Sequence, residues 1–220
     1  MQKSFSIEHF KILITFLQVM TALIGTLYYY KYKNTFLIYF QALLWYTVLN
    51  DYCAVLYLEY VDKSSNVVLY NIYQIVRFSI VFMMYRNAIE SSRNRKIIAV
   101  FLCLYLGAVI GNGFYEDFRQ DYNVIPFIIG AIFIVISVSL YFSEILESHK
   151  IIFINKLLLF WISVALLVYF VPSIPFYVVR KYYVNSPTIP YIYFLNYFLV
   201  FTINLILIAG FIWSGKQQKA

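Results

Sequence analysis

The sequence predicts an all-α fold: a single polytopic membrane bundle of seven transmembrane helices spanning residues 1–220. Three observations carry this. Hydrophobic residues make up 63% of the chain and charged residues only 12%, whereas soluble domains sit near about 45–50% and about 25%. Mean hydropathy is +0.75. The apolar residues also fall into seven runs, each long enough to cross a hydrocarbon core with about 20 helical residues, parted by short polar breaks. So few charges cannot cover that much apolar surface in water, and the lipid bilayer is the expected surrounding. The net charge of +7 lies in patches between the runs and does not point to nucleic acid.

The first run, 12–30, is closed by Lys31 and Lys33 and lacks a small-residue cleavage pattern, so it is expected to remain as a span. The second, 35–60, carries Gln41, Asn50 and Asp51. The third, 67–85, places Asn71, Gln74 and Arg77 three residues apart, one stripe along a helix. A basic break holding Arg86, Arg93, Arg95 and Lys96 leads into the fourth, 97–114. The fifth, 124–145, and the seventh, 190–213, open at Pro126 and Pro190, where the first helical turn accepts proline. The sixth, 157–179, carries Pro172 and Pro175, each of which removes a backbone hydrogen bond; they predict a kink that is either a hinge or a helix end. None of the runs alternates with period two, and all exceed the 9–11 residues of a barrel strand. Helices satisfy their own backbone groups and are the expected form.

Lys and Arg counts set the orientation. The side holding the N-terminus has six of the 17 basic residues: Lys3, Lys11, Lys63, Arg119, Arg180 and Lys181. The opposite side has ten: Lys31, Lys33, Arg86, Arg93, Arg95, Lys96, Lys150, Lys156, Lys216 and Lys219. The expectation is N-terminus out and C-terminus in. Leu44–Val48 and Phe160–Val164 share a local pattern on helices that run the same way. Asn71 and Asn196 sit near matching ends of helices 3 and 7. Together they suggest a three-plus-one-plus-three pseudo-repeat, against a background in which short apolar matches arise by chance.

Ionisable groups at membrane depth are costly and mark functional hypotheses. Arg77, ten residues into helix 3, and Asp51, nine residues from the end of helix 2, have matching depths and are expected to form an ion pair. That pair would be either part of a site or a structural lock. Gln18, Asn50, Asn112 and Asn196 fall in the same outer half, while Gln41 stands nearly alone in the inner half and Asn204 lies close to the midplane. This asymmetry predicts a polar cavity open outward over an apolar plug, with interhelical hydrogen bonding as the rival reading. Among the 23 tyrosines, Tyr70, Tyr73 and Tyr46 are the pocket candidates. Those at run ends, including Tyr85, are expected in the interfacial belt. Cys53 and Cys103 lie in apolar runs and are expected to be buried free thiols.

Absences narrow the chemistry. His9 and His149 lie on opposite sides, so no histidine pair can hold a metal or haem, and no glycine-rich phosphate loop occurs. Glu144, Glu147 and His149 are expected to form a solvated helix end. The sequence implies no cofactor, and an enzyme is the least expected class. Helix 7 has no lysine for a retinal Schiff base, helix 3 ends in Met84-Tyr85-Arg86-Asn87 without an acid–arginine pair, and the Pro-Gln signature of three-plus-one-plus-three carriers is missing. Four stretches, Leu69–Tyr73, Tyr141–Ile145, Phe160–Ser163 and Ile174–Phe176, resemble a set of small seven-helix bacterial inner-membrane proteins. The resemblance implies a fold and an inner-membrane, multi-pass location, and supplies no activity.

The functional expectation is a sensor or signalling component that takes a small ligand from the outer side near Asp51, Asn50, Asn71, Gln74, Arg77, Asn196, Tyr70 and Tyr73. Its basic inner face, Arg86 to Lys96, would meet a cytoplasmic protein partner or anionic lipid. The alternatives are a small-solute carrier using the same pocket, and a structural subunit of a membrane complex.

Overall fold

The computed structural model describes residues 2–182 and 189–216, with side chains described for residues 10–148, 151–179, 181 and 194–216. Among these it contains seven α-helices: α1 (Gln2–Leu27), α2 (Ile38–Tyr60), α3 (Val67–Ala88), α4 (Ser92–Asn112), α5 (Val124–Leu146), α6 (Leu158–Tyr182) and α7 (Ile189–Trp213). Short 3-10 segments, Tyr29–Lys31 and His149–Lys156, follow α1 and α5. Each helix packs against the next in sequence, α7 closes on α1, and α3 also reaches α5. The end that carries the start of α1 and the 113–123 loop is termed upper. The end that carries the Lys31 and 89–91 turns is termed lower.

Six helices, all but α2, are long and apolar enough to cross a membrane, and such a bundle marks a multi-pass membrane protein. The outward surface agrees with this: Ile12, Phe16, Ile110 and Leu146 are all more than half exposed, an apolar face that water would not tolerate at this extent. At 23 residues α2 matches its neighbours in length, but Gln41, Asn50, Asp51, Glu59 and five tyrosines lower its hydropathy.

Several boundaries differ from the sequence expectation because apolarity marks the membrane-like stretch and not the helix. α1 starts near residue 2, ahead of the first apolar run, and α4 starts at Ser92, inside the basic break. That start is capped. Ser91 Oγ accepts from the Asn94 amide at 3.4 Å, and the Glu144 carboxylate takes the amides of Glu90 and Ser91 at 2.8 and 3.3 Å. A carboxylate at a helix N-terminus meets the positive end of the dipole, so Glu144 is a fixed cap and not part of a solvated end. The lower end of α7 has the converse device. Lys31 Nζ donates to the carbonyls of Phe211, Ile212 and Ser214 at 2.8–2.9 Å, groups that a helix end leaves without partners. Burial, and the nearby Lys156 charge, lower the Lys31 pKa from its ordinary value. α6 runs unbroken through Pro172 and Pro175.

Two glycines permit close packing of the core. A Cβ on Gly130 would lie 2.5 Å from the Phe78 ring, so α5 can press against α3 only there. A Cβ on Gly25 would overlap Gln41, which fills the α1–α2 groove. Phe78 in turn meets Tyr105, Phe127 and Phe170 with centroids 4.8, 5.7 and 5.3 Å apart. Tyr85 departs from the belt expectation: it is fully buried, with its hydroxyl 2.7 Å from Ser163 Oγ. Cys53 and Cys103 are free thiols on the outer surface, not buried ones; apolar runs face lipid as readily as core.

Candidate functional site

Two contacts fix the register of α2 on α3. Asn66 Nδ2 donates to the Ala54 carbonyl at 3.1 Å, and Thr47 Oγ1 meets the Tyr73 hydroxyl at 3.0 Å. Moving seven residues down α2 therefore matches moving seven down α3. Asp51 lies level with residue 69 and Arg77 level with residue 43, an offset of about 12 Å at 1.5 Å per residue. The expected Asp51–Arg77 ion pair does not form, as the two groups are not within 4.0 Å. Equal distance from the helix ends gave the wrong level because α2 extends beyond the top of α3. Asp51 instead faces Gln18 and Lys11 of α1 and interacts with Tyr70. Tyr73 lies between, interacting electrostatically with both Asp51 and Arg77.

Arg77 ends in an aromatic cage. Helical side chains lean toward the N-terminus of their helix, so its guanidinium points upward from the middle of α3. Its carbon sits 5.3 Å from the ring centroids of Tyr73, Phe78 and Phe170, 5.4 Å from Tyr169 and 5.6 Å from Phe127. The hydroxyls of Tyr122 and Tyr177 are further electrostatic neighbours. Nε is enclosed and has no hydrogen-bond acceptor. Sequence reasoning found Arg77 but missed the α5 and α6 rings; with 23 Tyr and 21 Phe in the chain, none of them stands out.

Asn71 and Gln74 face the upper loop. Asn71 Nδ2 donates to the carbonyls of Phe118 and Asp121 at 2.9 and 2.8 Å, and its Oδ1 accepts from the Asn123 amide at 3.0 Å. Gln74 Nε2 reaches the Asn123 carbonyl at 3.2 Å. Asn112 Nδ2 donates to Asn123 Oδ1 at 3.0 Å and to Glu116 at 2.9 Å, while Lys181 pairs with Glu116. This clasp folds the 113–123 loop over the tops of α3, α4 and α5. Burial works to raise the Glu116 pKa, but the hydrogen bonds from Lys181 and Asn112 prevail and hold it below its ordinary value.

The two halves of the bundle differ in how well their polar groups are satisfied. Among the described residues, Asn50 Nδ2, Arg77 Nε, Asn123 Nδ2 and Asn196 Oδ1 are buried without a hydrogen-bond partner, and Gln74 Oε1 and Tyr105 Oη, which interact with each other, fall short of a well-formed hydrogen bond: six atoms in all. All six lie between the level of Arg77 and the upper end. In the lower half Gln41 donates to the Ala22 carbonyl and Thr26 Oγ1 at 2.8 and 2.9 Å, and accepts from the Tyr32 hydroxyl at 3.0 Å. Burial raises the Tyr32 pKa, so this phenol stays a neutral donor. Asn204 accepts from Thr21 at 2.7 Å. Buried polar groups left unpaired are rare and each calls for an explanation; here they gather in one half.

No protein-family model, curated protein or solved structure matches the chain. The class of protein is therefore defined by the fold and the site: a multi-pass helical membrane protein with a closed lower half and an unsatisfied upper interior.

Proposed function

We propose that this chain is a seven-helix inner-membrane protein, N-terminus outside and C-terminus in the cytoplasm, that receives a small ligand from the outer side as a sensor or signalling component. The gathering of poorly satisfied buried polar atoms in the upper half, among the described residues, carries this reading. A ligand entering from above would meet Arg77, Tyr73, Tyr70, Asn50 and Asn196, and Asp51 on the α1 side. The ten-to-six excess of basic residues on the lower side supports the orientation. It places Arg86, Arg93, Arg95 and Lys96 at the cytoplasmic headgroups, where a protein partner or anionic lipid would meet them. The hydrogen bonds of Gln41, Thr21 and Asn204 in the lower half favour a receiver over a carrier, since alternating access requires that half to open.

Two measurements test this reading without knowledge of the ligand. Reporter fusions at Lys96 and after Ala220 are expected to read cytoplasmic, and one at Asp121 external. In a chain carrying Cys53→Ser and Cys103→Ser, an Asn196→Cys thiol is expected to react with a membrane-impermeant maleimide added from outside. An external C-terminus, or an inert thiol in a folded protein, would overturn the proposal.

A further inference from the structure

We propose that Arg77 and its ring cage bind the carboxylate of an organic monoacid with an apolar body. This rests on the ligand-receiving reading above and names the class of ligand. Arginine carries five N–H donors and cannot shed its charge. Its Nε is enclosed without an acceptor, and a buried charge left unpaired is costly. Rings answer only part of that need: they attract the cation through their faces but accept none of its in-plane N–H bonds.

Among the described residues no acid pairs with Arg77. Asp51 is offset along α2 and faces Gln18 and Lys11. Glu116 is held by Lys181 and Asn112, and Glu144 caps α4. Asp62 accepts from the Ser64 amide at 2.9 Å, and Asp117 and Asp121 accept amides within the upper loop at 2.8 and 3.1 Å.

The chemistry of the walls selects the anion. A single guanidinium, with no second cation among its described electrostatic neighbours, suits one negative charge and not a phosphate dianion. Its planar fork matches a carboxylate with two parallel hydrogen bonds. The five rings around it come from α3, α5 and α6. They would give the rest of the molecule apolar contacts, and the Tyr73 hydroxyl, held by Thr47, stands above as a polar marker. Two sources share this chemistry, a soluble aromatic acid and a fatty acid drawn from the bilayer.

The test uses the full-length protein in lipid nanodiscs with 15N-labelled arginine. Benzoate, octanoate and inorganic phosphate are titrated separately, and the Arg77 Nε–H resonance, assigned from the Arg77→Lys protein, is followed. Saturable movement of that resonance with benzoate or octanoate is expected, and whichever acid saturates at lower concentration assigns the aqueous or the membrane source. Binding of the radiolabelled acid should weaken at least tenfold in Arg77→Lys, which keeps the charge and loses the fork, and vanish in Arg77→Met. Movement with phosphate alone, or no movement with any of the three probes, overturns the proposal. The direct reading on the unmutated protein keeps the test decisive if Arg77→Met fails to fold. An Asn196→Cys thiol that labels while Arg77 stays silent would refute the ligand class and leave the outward pocket standing.

Discussion

Replacing Asn71 with alanine should release the upper loop before the bundle melts. The side chain is fully buried and makes three hydrogen bonds to backbone on the far side of the α4–α5 loop, at 2.8, 2.9 and 3.0 Å. Truncation leaves the Asn123 amide buried without an acceptor, while the partly buried Phe118 and Asp121 carbonyls regain water. One orphaned buried donor at about 1–3 kcal/mol and two ordinary bonds at about 0.5–1.5 kcal/mol each give a loss of about 2–6 kcal/mol. Asn71→Asp should be no better, since it keeps the acceptor for Asn123 but turns charge toward two carbonyl oxygens. The assay is limited trypsin digestion of the purified protein, read at exposed Arg119 in the loop, alongside thermal unfolding followed by tryptophan fluorescence. Trp45, Trp161 and Trp213 all lie toward the lower end, so cleavage at Arg119 should rise under conditions that leave their signal intact. Unchanged cleavage, together with a stability change under about 0.5 kcal/mol, would refute the clasp.

Two further outcomes follow from the contacts of the ionisable groups. In a double-mutant cycle, Asp51→Asn and Arg77→Gln should be additive within about 0.5 kcal/mol, because the two groups do not meet; a larger coupling measured by unfolding would restore the ion pair. Glu116, held below its ordinary value of 4.5, has a depressed folded-state pKa, so its pairing contributes above that pH and is lost as pH falls through the lower folded value. The stability gap between wild type and Glu116→Gln, about 0.2–1 kcal/mol for a pair at the bundle surface, should hold at neutral pH and narrow progressively as pH falls below 4.5; a gap independent of pH removes the latch.

The arrangement of helices was largely legible in the sequence, since burial in lipid demands long apolar runs and those runs are countable. What was not legible is register. Asp51 and Arg77 looked level because each sits about ten residues from a loop, but the extra turns of α2 above α3 depend on where Asn66 finds a carbonyl. Nor could the pattern tell that Asn71 and Gln74 turn toward the loop while Arg77, three residues on, enters a cage: the 3.6-residue period places all three on one side of α3 but leaves the partners to the tertiary fold. The concentration of polar residues in one half was legible, because Gln18, Asn50, Asn112 and Asn196 all fall in the outer half of their apolar runs. Which of them are satisfied was not.

The cage also explains how a buried arginine can remain available to a ligand. An arginine locked to an acid would have its donors occupied, and a ligand would have to break that pair before it could bind. Rings close around the guanidinium hold the cation in place but accept none of its in-plane N–H bonds, which leaves those donors for an incoming acceptor. α3 then links that event to the rest of the bundle. It packs against α2, α4 and α5, carries Arg77 at its middle, and fastens to α6 lower down through Tyr85 and Ser163. A ligand that draws Arg77 upward would therefore act on a helix that is also tied into the lower half, and α3 is one physical path from the cage to the lower end.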